Sequence, residues 1–321
     1  MEREQEDVQF LGFFGIFKES MKIIFTWKKI FSQITLVLIL PLSFIFLAQI
    51  QASLLLFFNI QNNQDALNYT QKVSVIIAFW VFQLVYLIFL IILSLFSTSA
   101  VVYTVASIYT AKDITFKKVM TVVPRVWKRL MATFLWSLPI VLLFGVVSGV
   151  LSYIIWLPYL GNATFFLLVI LTGIEYVNIV WEMASVVSVL EDLHGSDAVK
   201  KRKALIKGKK GAVVAAYFTL ASFLVGVENI YLYLVVLNVG RWRHNMGIGI
   251  RISIGILCFF LVCMVFLFGL VVQTVFYFVC KSYHRETIDM SSLADHLDVY
   301  LGEYVPLIKS KDVQLVEVHH V

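Results

Sequence analysis

The chain has 321 residues, of which 60% are apolar and 14% charged, and its mean hydropathy is +0.88. A soluble domain of this length carries more polar surface, so the composition excludes that class and indicates residence in lipid. About 20 residues cross a hydrocarbon core about 30 Å thick, which leaves no room for a large catalytic domain outside the membrane. The chain contains 26 basic residues, many of them clustered, and 20 acidic residues, which gives a net charge of +6.

Residues 1–29 predict a cytosolic N-terminus followed by an amphipathic surface helix. Four acidic residues stand among the first seven, which does not fit a secretory signal. Lysines at 18, 22 and 29 share one side of the predicted helix, and apolar residues share the other. Such a helix lies flat in the headgroup layer. The apolar side consists of Phe10, Phe13, Phe14, Phe17, Met21 and Ile24.

Residues 30–281 predict a membrane domain of six spans. The apolar runs cover residues 31–57, 73–110, 130–157, 163–190, 211–237 and 252–280. Basic cytosolic loops at 111–129 and 191–210 interrupt them, and residues 282–321 form a cytosolic tail. The second run is one helix too long for a single crossing, and its hydroxyl-rich end, from Ser97 to Thr110, either protrudes into water or tilts against its neighbours. Pro41 predicts a kink in the first span.

The distribution of Lys and Arg predicts the orientation. With six spans, all basic residues except Lys72, Arg241, Arg243 and Arg251 share the side of the N-terminus, which is 22 of 26. This bias places both termini in the cytosol. The membrane is then that of the endoplasmic reticulum, another endomembrane or the plasma membrane. Asn68, in the sequon Asn68-Tyr-Thr, falls on the opposite side and is a candidate glycosylation site.

An internal repeat is visible in the basic segments. Asp113-Ile-Thr-Phe-Lys-Lys matches Ser196-Asp-Ala-Val-Lys-Lys, an offset of 83 residues (196 − 113), and each begins with a residue typical of a helix N-cap. The N-terminal segment echoes both. The predicted fold is therefore all-α, with three units that each combine an amphipathic surface helix and a hairpin of two spans. The alternative is that basic amphipathic linkers resemble one another without a repeat.

Three segments carry a resemblance to known proteins. Phe10-Leu-Gly-Phe-Phe-Gly-Ile-Phe-Lys-Glu-Ser, Leu40-Pro-Leu-Ser-Phe and Tyr300-Leu-Gly-Glu-Tyr-Val-Pro resemble a plant family of uncharacterised six-span membrane proteins. More remotely, Val189-Leu-Glu-Asp-Leu-His-Gly195 followed by Ala204-Leu-Ile-Lys-Gly208 resembles microbial six-span domains attached to some glycerophosphodiester phosphodiesterases. These resemblances imply a fold and carry no catalytic residue to this chain.

The fourth span carries Glu175, Asn178 and Glu182 on one helix face. Carboxylates inside a bilayer are costly, so they are protonated, hydrogen-bonded to another span or exposed to a wet cavity. A proton or cation relay and the recognition of a cationic or hydroxylated solute are the functional alternatives. Interhelical packing with neutral carboxyl groups is the structural one, and we favour it. The candidate partners on other spans are Gln83, Glu228, Asn229 and Gln273.

The cytosolic basic segments predict contact with anionic lipid of the inner leaflet. Positively charged helices bearing Trp suit such a surface and anchor the chain. Recognition of phosphoinositide headgroups is a sharper alternative, and nucleic-acid binding is not expected because the interleaved aromatic residues point toward lipid. The candidate contacts are Lys117, Lys118, Lys200, Lys201, Arg202 and Lys203.

The tail contains a candidate motif for a cytosolic partner. It resembles the linear peptide that docks on the C-terminal domain of poly(A)-binding protein, which implies that partner. The sequence departs from that pattern at Asp298, at Leu301 and, most importantly, at Tyr304, where the pattern has Phe. The alternative is an amphipathic segment that folds back on the bundle. The candidate contacts are Leu297, Leu301, Glu303, Tyr304 and Pro306.

No spacing of His and Cys typical of zinc, no phosphate-binding glycine loop and no Ser/His/Asp set is present. We therefore expect no enzyme, no cofactor and no metal site. The expected function is that of a non-catalytic accessory or organising protein of a membrane, with a tail available to partners. The alternative is a small-solute or proton-coupled transporter that uses the intramembrane carboxylates.

Overall fold

A computed structural model of the chain describes residues 12–62, 69–110, 114–155, 184–191, 197, 200–201, 205, 210–237 and 247–284. These ranges are helical and hold no strand, which confirms the all-α prediction for them. The elements in chain order are α1 (Phe13–Thr26), α2 (Lys28–Ile34), the π-helix π1 (Thr35–Ile39), α3 (Leu40–Asn62), α4 (Tyr69–Tyr109), α5 (Phe116–Ile155), α6 (Lys210–Ile230), the π-helix π2 (Tyr231–Val236) and α7 (Ile248–Tyr283).

Four stretches of the described residues are long and apolar enough to cross a membrane. They coincide with the first, second, fifth and sixth expected spans. The third expected span lies within α5, and the fourth, residues 163–190, is described only from residue 184 onward. Six spans therefore stay a prediction. The four stretches are Lys28–Leu56, Val73–Tyr109, Gly211–Val236 and Ile248–Tyr283.

One half of the bundle, here called the packed half, is built around α4 and α7. Every residue from Ser97 to Ser107 in α4 and from Val271 to Cys280 in α7 is buried. The two segments share one core with α1, α2, the first part of α5 and residues 184–190. A helix that is buried on every side needs small or apolar residues throughout, and both segments have them. Residues 97–107 of α4 are therefore covered by neighbouring segments of the protein and do not face water, whereas residues 108–110 are partly exposed.

The hydroxyl groups of α4 do not disturb this packing. Ser97 and Thr104 donate to the carbonyl oxygens of Leu93 and Ala100, each at 2.8 Å. Such bonds to the preceding turn satisfy a hydroxyl without a partner helix. Small side chains also let neighbouring backbones approach closely. The composition that set this stretch apart in the sequence therefore suits a central, closely surrounded helix.

The other half, here called the open half, comprises residues 48–56, 73–90, 223–236 and 248–260. Most of its large apolar side chains are exposed, as at Ile77 (57%) and Trp80 (66%). Along α4 the less exposed positions form one stripe, which includes Phe79, Gln83 and Tyr86, and this stripe faces α3. Exposed apolar side chains on a membrane helix are covered by acyl chains.

Two surface elements differ from the sequence expectation. The apolar side of α1 is divided, since Phe13 and Phe17 pack on the core whereas Phe14 is 84% exposed. The buried residues of this helix are Ile16, Ser20 and Ile23. Residues 116–129, expected as a loop with its own surface helix, form the start of α5 and continue without a break into the residues expected to form the third span. The three-unit repeat is therefore not confirmed at its second unit.

Proline shapes the first span without ending it. Pro41 lacks an amide hydrogen and its ring clashes with the carbonyl group four residues earlier in a regular α-helix. The turn before it is π-helical, from Thr35 to Ile39, and the helix continues as α3. A wider π turn accommodates such a clash. The disturbance thus lies just before the proline, where the sequence predicts a kink.

Candidate functional site

The predicted intramembrane polar cluster divides between the two halves. Gln83, Glu228 and Asn229 lie in the open half, whereas Gln273 lies in the packed half. No hydrogen bond joins any two of these four described residues. Glu175, Asn178 and Glu182, on which the functional interpretation depends, are outside the residues that the structure describes.

Gln83 belongs to a polar contact between α3 and α4. Its amide oxygen accepts a hydrogen bond from Gln49 Nε2, and its own Nε2 donates to Ser53 Oγ at 3.2 Å. Gln49 Nε2 also lies 2.8 Å from Ser53 Oγ. Hydrogen bonds between apolar helices hold them in register. The sequence analysis does not predict these partners of Gln83, although the i, i+4 spacing of Gln49 and Ser53 on one apolar helix is a signal that indicates a shared polar face.

Glu228 and Asn229 make no comparable contact with another helix in the described structure. Asn229 is exposed, and its Nδ2 donates to the carbonyl oxygen of Val225 in its own helix at 2.7 Å. Glu228 is half-buried. The residues of the fourth expected span that the sequence analysis pairs with them lie outside the described residues.

Gln273 is the buried amide of the packed half. It is 1% exposed, and its Nε2 finds no hydrogen-bond acceptor among the described residues. A buried amide without a partner is costly, so an acceptor from the rest of the chain or a water molecule is expected there. The prediction that Gln273 faces a polar group on another span is consistent with this observation.

A polar contact that the sequence analysis missed anchors residues 184–191 to α7. Glu191 Oε1 accepts hydrogen bonds from the Tyr277 hydroxyl at 2.7 Å and from Lys281 Nζ at 3.0 Å. The ion-paired side chains of Lys281 and Glu191 are only 19% and 16% exposed. The acidic dipeptide Glu191-Asp192, which ends an apolar run and precedes the basic segment 200–210, is the sequence signal for such a pair.

The predicted anionic-lipid contacts are described at four positions. Lys117 is exposed and Lys118 half-exposed in the first turn of α5, where the Lys118 amide approaches Thr115 Oγ1 at 3.5 Å. Lys200 is 77% exposed and pairs with Asp197 at 3.2 Å. Lys201 is half-buried. Arg202 and Lys203 lie outside the described residues, so the cluster is seen in part.

Two further predictions fall on residues outside the part of the chain that the structure describes. Asn68 and the whole tail motif, at Leu297, Leu301, Glu303, Tyr304 and Pro306, lie outside the described ranges. The three cysteines are described, and all are buried free thiols. Within the described ranges, no three His, Cys, Asp or Glu side chains come close enough together to hold a metal ion.

The open half contains a cavity of about 620 Å³ between α3, π2 and α7. Gln51, Tyr231 and Arg251 supply its polar groups, and apolar side chains supply the remainder of its wall. The Tyr231 hydroxyl donates to Gln51 Oε1 at 3.3 Å. Arg251 Nη2 donates to the carbonyl oxygen of Val235 at 2.6 Å. That carbonyl lies in the last turn of its helix, where no intrahelical amide reaches it.

The helical architecture and the four stretches able to cross a membrane are those of an integral membrane protein. More specifically, the chain belongs to the DUF8558 family, described as a domain of unknown function, whose profile matches residues 1–318. No curated protein matches the chain, and no solved structure matches it.

Proposed function

We propose that this protein is a non-catalytic accessory or organising component of an endomembrane or the plasma membrane. The observation that carries this proposal is the packed half, in which residues 97–107 of α4 and 271–280 of α7 are buried on every side. Two central helices enclosed in this way support a structural role better than a moving one, because close packing tolerates little rearrangement.

The proposed topology has six spans with both termini in the cytosol. The four described stretches, the third span within α5 and residues 163–190 make up the six, and the bias of 22 basic residues out of 26 (all except Lys72, Arg241, Arg243 and Arg251) supports the orientation. The three native cysteines are buried, so an introduced thiol can be distinguished from them by its reaction with a maleimide. In sealed microsomes, Lys201→Cys is expected to react with an impermeant maleimide from outside. Protection of this thiol until the vesicles are opened would reject the topology.

We further propose that the basic cytosolic surface binds anionic lipid. The exposed ammonium groups of Lys117 and Lys200 support this role. Replacing Lys200, Lys201, Arg202 and Lys203 with Gln is expected to weaken binding of the purified protein to vesicles containing phosphatidylserine. Lys72→Gln, on the opposite face of the proposed topology, is the control and is expected to leave binding unchanged. Equal binding by all variants would exclude the role.

The tail is proposed as a docking segment for the C-terminal domain of poly(A)-binding protein. Its support is the sequence motif, in which Leu297 and Tyr304 would supply the apolar contacts and Pro306 the extended exit. A peptide of residues 293–310 is expected to bind that domain in a titration, and the Tyr304→Ala peptide is expected to bind much more weakly. No binding at high micromolar concentration would remove this partner and favour a tail that folds back on the bundle.

A small-solute or proton-coupled transporter is the second candidate. The observation that favours it is the buried amide of Gln273, whose Nε2 has no acceptor among the described residues, since an intramembrane carboxyl group such as Glu175 or Glu182 would supply one. Replacing both glutamates with Gln tests this candidate in reconstituted vesicles. A flux of solute or protons that the native protein supports and the variant has lost would favour transport. An unchanged flux would exclude a proton or cation relay through these carboxyl groups.

A further inference from the structure

The cavity of the open half combines one cation and two neutral polar side chains with apolar residues. Arg251 is half-buried one turn into α7, and none of the twelve described residues that line the cavity is acidic. A charged side chain within an apolar bundle is costly unless an opposite charge or several hydrogen bonds compensate it. The composition of the wall therefore favours a ligand that carries negative charge.

The hydrogen bond to Val235 leaves most of the donor capacity of Arg251 available. A guanidinium group has five N–H donors in a planar fork, and Nη2 uses one of its own for the Val235 carbonyl. That bond also fixes the position of the group, which lowers the entropic cost of binding. A fixed, partly satisfied guanidinium is well suited to a phosphate or carboxylate, which it can contact through two parallel hydrogen bonds.

The wall away from Arg251 suits a hydrocarbon chain. On α3, the lining residues Phe44, Leu47, Ala48 and Gln51 recur at helical spacing, so three apolar side chains lead to a single polar one. The volume of about 620 Å³ lies within the range of sites that bind small molecules. A ligand with an acidic end and an apolar body matches this gradient better than a free inorganic anion does.

The cavity opens sideways, toward the space that lipid occupies. Phe44, Ile252 and Ile256 line it and yet are 63%, 57% and 52% exposed. These side chains lie on the apolar outer surface of stretches able to span a membrane. A lipid molecule can therefore enter from the bilayer without leaving its apolar surroundings.

From these four observations we propose that the cavity binds an anionic lipid. The acidic headgroup contacts Arg251, with Gln51 and Tyr231 beside it, and an acyl chain lies along Phe44 and Ile256. This site is distinct from the cytosolic lysine surface and goes beyond the accessory role, because it selects one lipid molecule instead of a charged membrane surface.

Photolabelling of the full-length protein tests the proposal directly. The protein is reconstituted in phosphatidylcholine vesicles that contain a trace of phosphatidic acid with a diazirine on its acyl chain. Adducts are expected in the peptides containing residues 44–51 and 252–259, at least tenfold above those given by the same diazirine on phosphatidylcholine. Equal labelling by the two lipids would overturn the proposal.

Two variants address the two ends of the ligand. Arg251→Gln is expected to lower labelling by phosphatidic acid about tenfold, the loss expected for one charge-assisted contact. Gly255→Leu is expected to lower it similarly by filling the cavity, since a Cβ there meets only Val235 Cγ1, at 3.8 Å. Arg125→Gln, on the exposed side of α5, is the matched control. Undiminished labelling of the folded Gly255→Leu protein would contradict the proposal.

A competition experiment separates the lipid from a soluble anion. Unlabelled lysophosphatidic acid is expected to suppress the adducts, because it offers both the headgroup and the chain. Glycerol 3-phosphate at millimolar concentration is expected to leave them unchanged. Suppression by glycerol 3-phosphate would show that the site takes a free phosphate and would overturn the assignment to a lipid.

Discussion

The packed and open halves share two helices, α4 and α7, and each of these helices meets different surroundings in the two halves. Within α4, residues 97–107 are buried, whereas most of residues 73–90 are exposed. Both stretches are apolar, and they differ in side-chain size: Ser97, Ser99 and Ala100 in one, Ile77 and Trp80 in the other. Lipid tails are as apolar as leucine, so hydrophobicity does not select helix contact over lipid contact. Side-chain size and polar contacts make that selection.

The polar contacts of the two halves also differ in kind. The packed half contains an ion pair with a shared tyrosine hydroxyl, at Glu191, Lys281 and Tyr277, and the buried contact between Thr133 and Ser188 at 2.7 Å. The open half contains neutral amide and hydroxyl contacts at Gln49, Ser53 and Gln83. This difference predicts that substitutions of equal size change the free energy of unfolding by different amounts in the two halves.

Removal of the Glu191 carboxylate is expected to have the largest effect. Glu191→Gln leaves the ammonium group of Lys281 mostly buried and without its counter-charge. Breaking a buried pair in this way is expected to lower the free energy of unfolding by about 3 kcal/mol. Denaturation of the purified protein in mixed micelles measures this change in the free energy of unfolding.

The exposed pair of Lys200 and Asp197 supplies the comparison for that measurement. Asp197→Asn removes the carboxylate of a pair whose side chains are 77% and 65% exposed. A surface pair of this kind contributes roughly 0 to 1 kcal/mol. Similar losses for the two variants would mean that residues 184–191 are not packed against α7 as described.

The introduction of a larger side chain is expected to have the next largest effect, and this effect is expected to differ between the two halves. Ala106 is fully buried in α4, and Ala78 lies on an exposed face of the same helix. Ala106→Phe is expected to destabilise the protein by about 2 kcal/mol, because a close-packed core cannot hold the added ring. Ala78→Phe, which places the same ring in lipid, is expected to change stability by less than about 0.5 kcal/mol. An equal loss at both positions would contradict the division into halves.

The amide contact of the open half is expected to give the smallest loss. Gln83→Leu removes hydrogen bonds to Gln49 and Ser53, and bonds between membrane helices contribute about 0.6 to 2 kcal/mol. We expect a loss of about 1 kcal/mol. Asn229→Leu is the control, because Asn229 bonds only within its own helix among the described residues. A stability of Gln83→Leu equal to that of this control would show that the contact does not couple α3 and α4.

The fold class could be predicted from composition and apolar runs, and four spans agree with the described helices. The burial of residues 97–107 could not be predicted in this way. A helix that is enclosed on all sides has no polar face, so its sequence lacks the hydrophobic periodicity that indicates a buried side. The continuity of α5 through Pro124 was missed because the basic residues near its start suggested a loop. Membrane packing is decided by contacts between distant segments, which a single sequence does not contain.

For the candidate site, the sequence indicated which types of residue take part but not which residues contact one another. Gln83 and Gln273 were recognised as polar groups inside spans, but their partners, Gln49 and Ser53 for the first, depend on which helices are neighbours. Arg251 was counted among the few basic residues on the outer side, yet its cavity forms only when α3, π2 and α7 come together. Electrostatic patterns along a sequence indicate the compartment that a residue faces and do not indicate its contacts.

Lipid-facing and protein-facing surfaces can be distinguished in the native membrane with a small hydrophobic diazirine, activated by light and mapped by peptide mass spectrometry. The probe reacts with whatever side chains the acyl chains touch, so no substitution is required. We predict strong labelling of residues 77–89 in α4, and little or none of residues 97–107 in α4 or 271–280 in α7. Labelling of residues 97–107 as strong as that of residues 77–89 would contradict the enclosed core on which the proposed role depends.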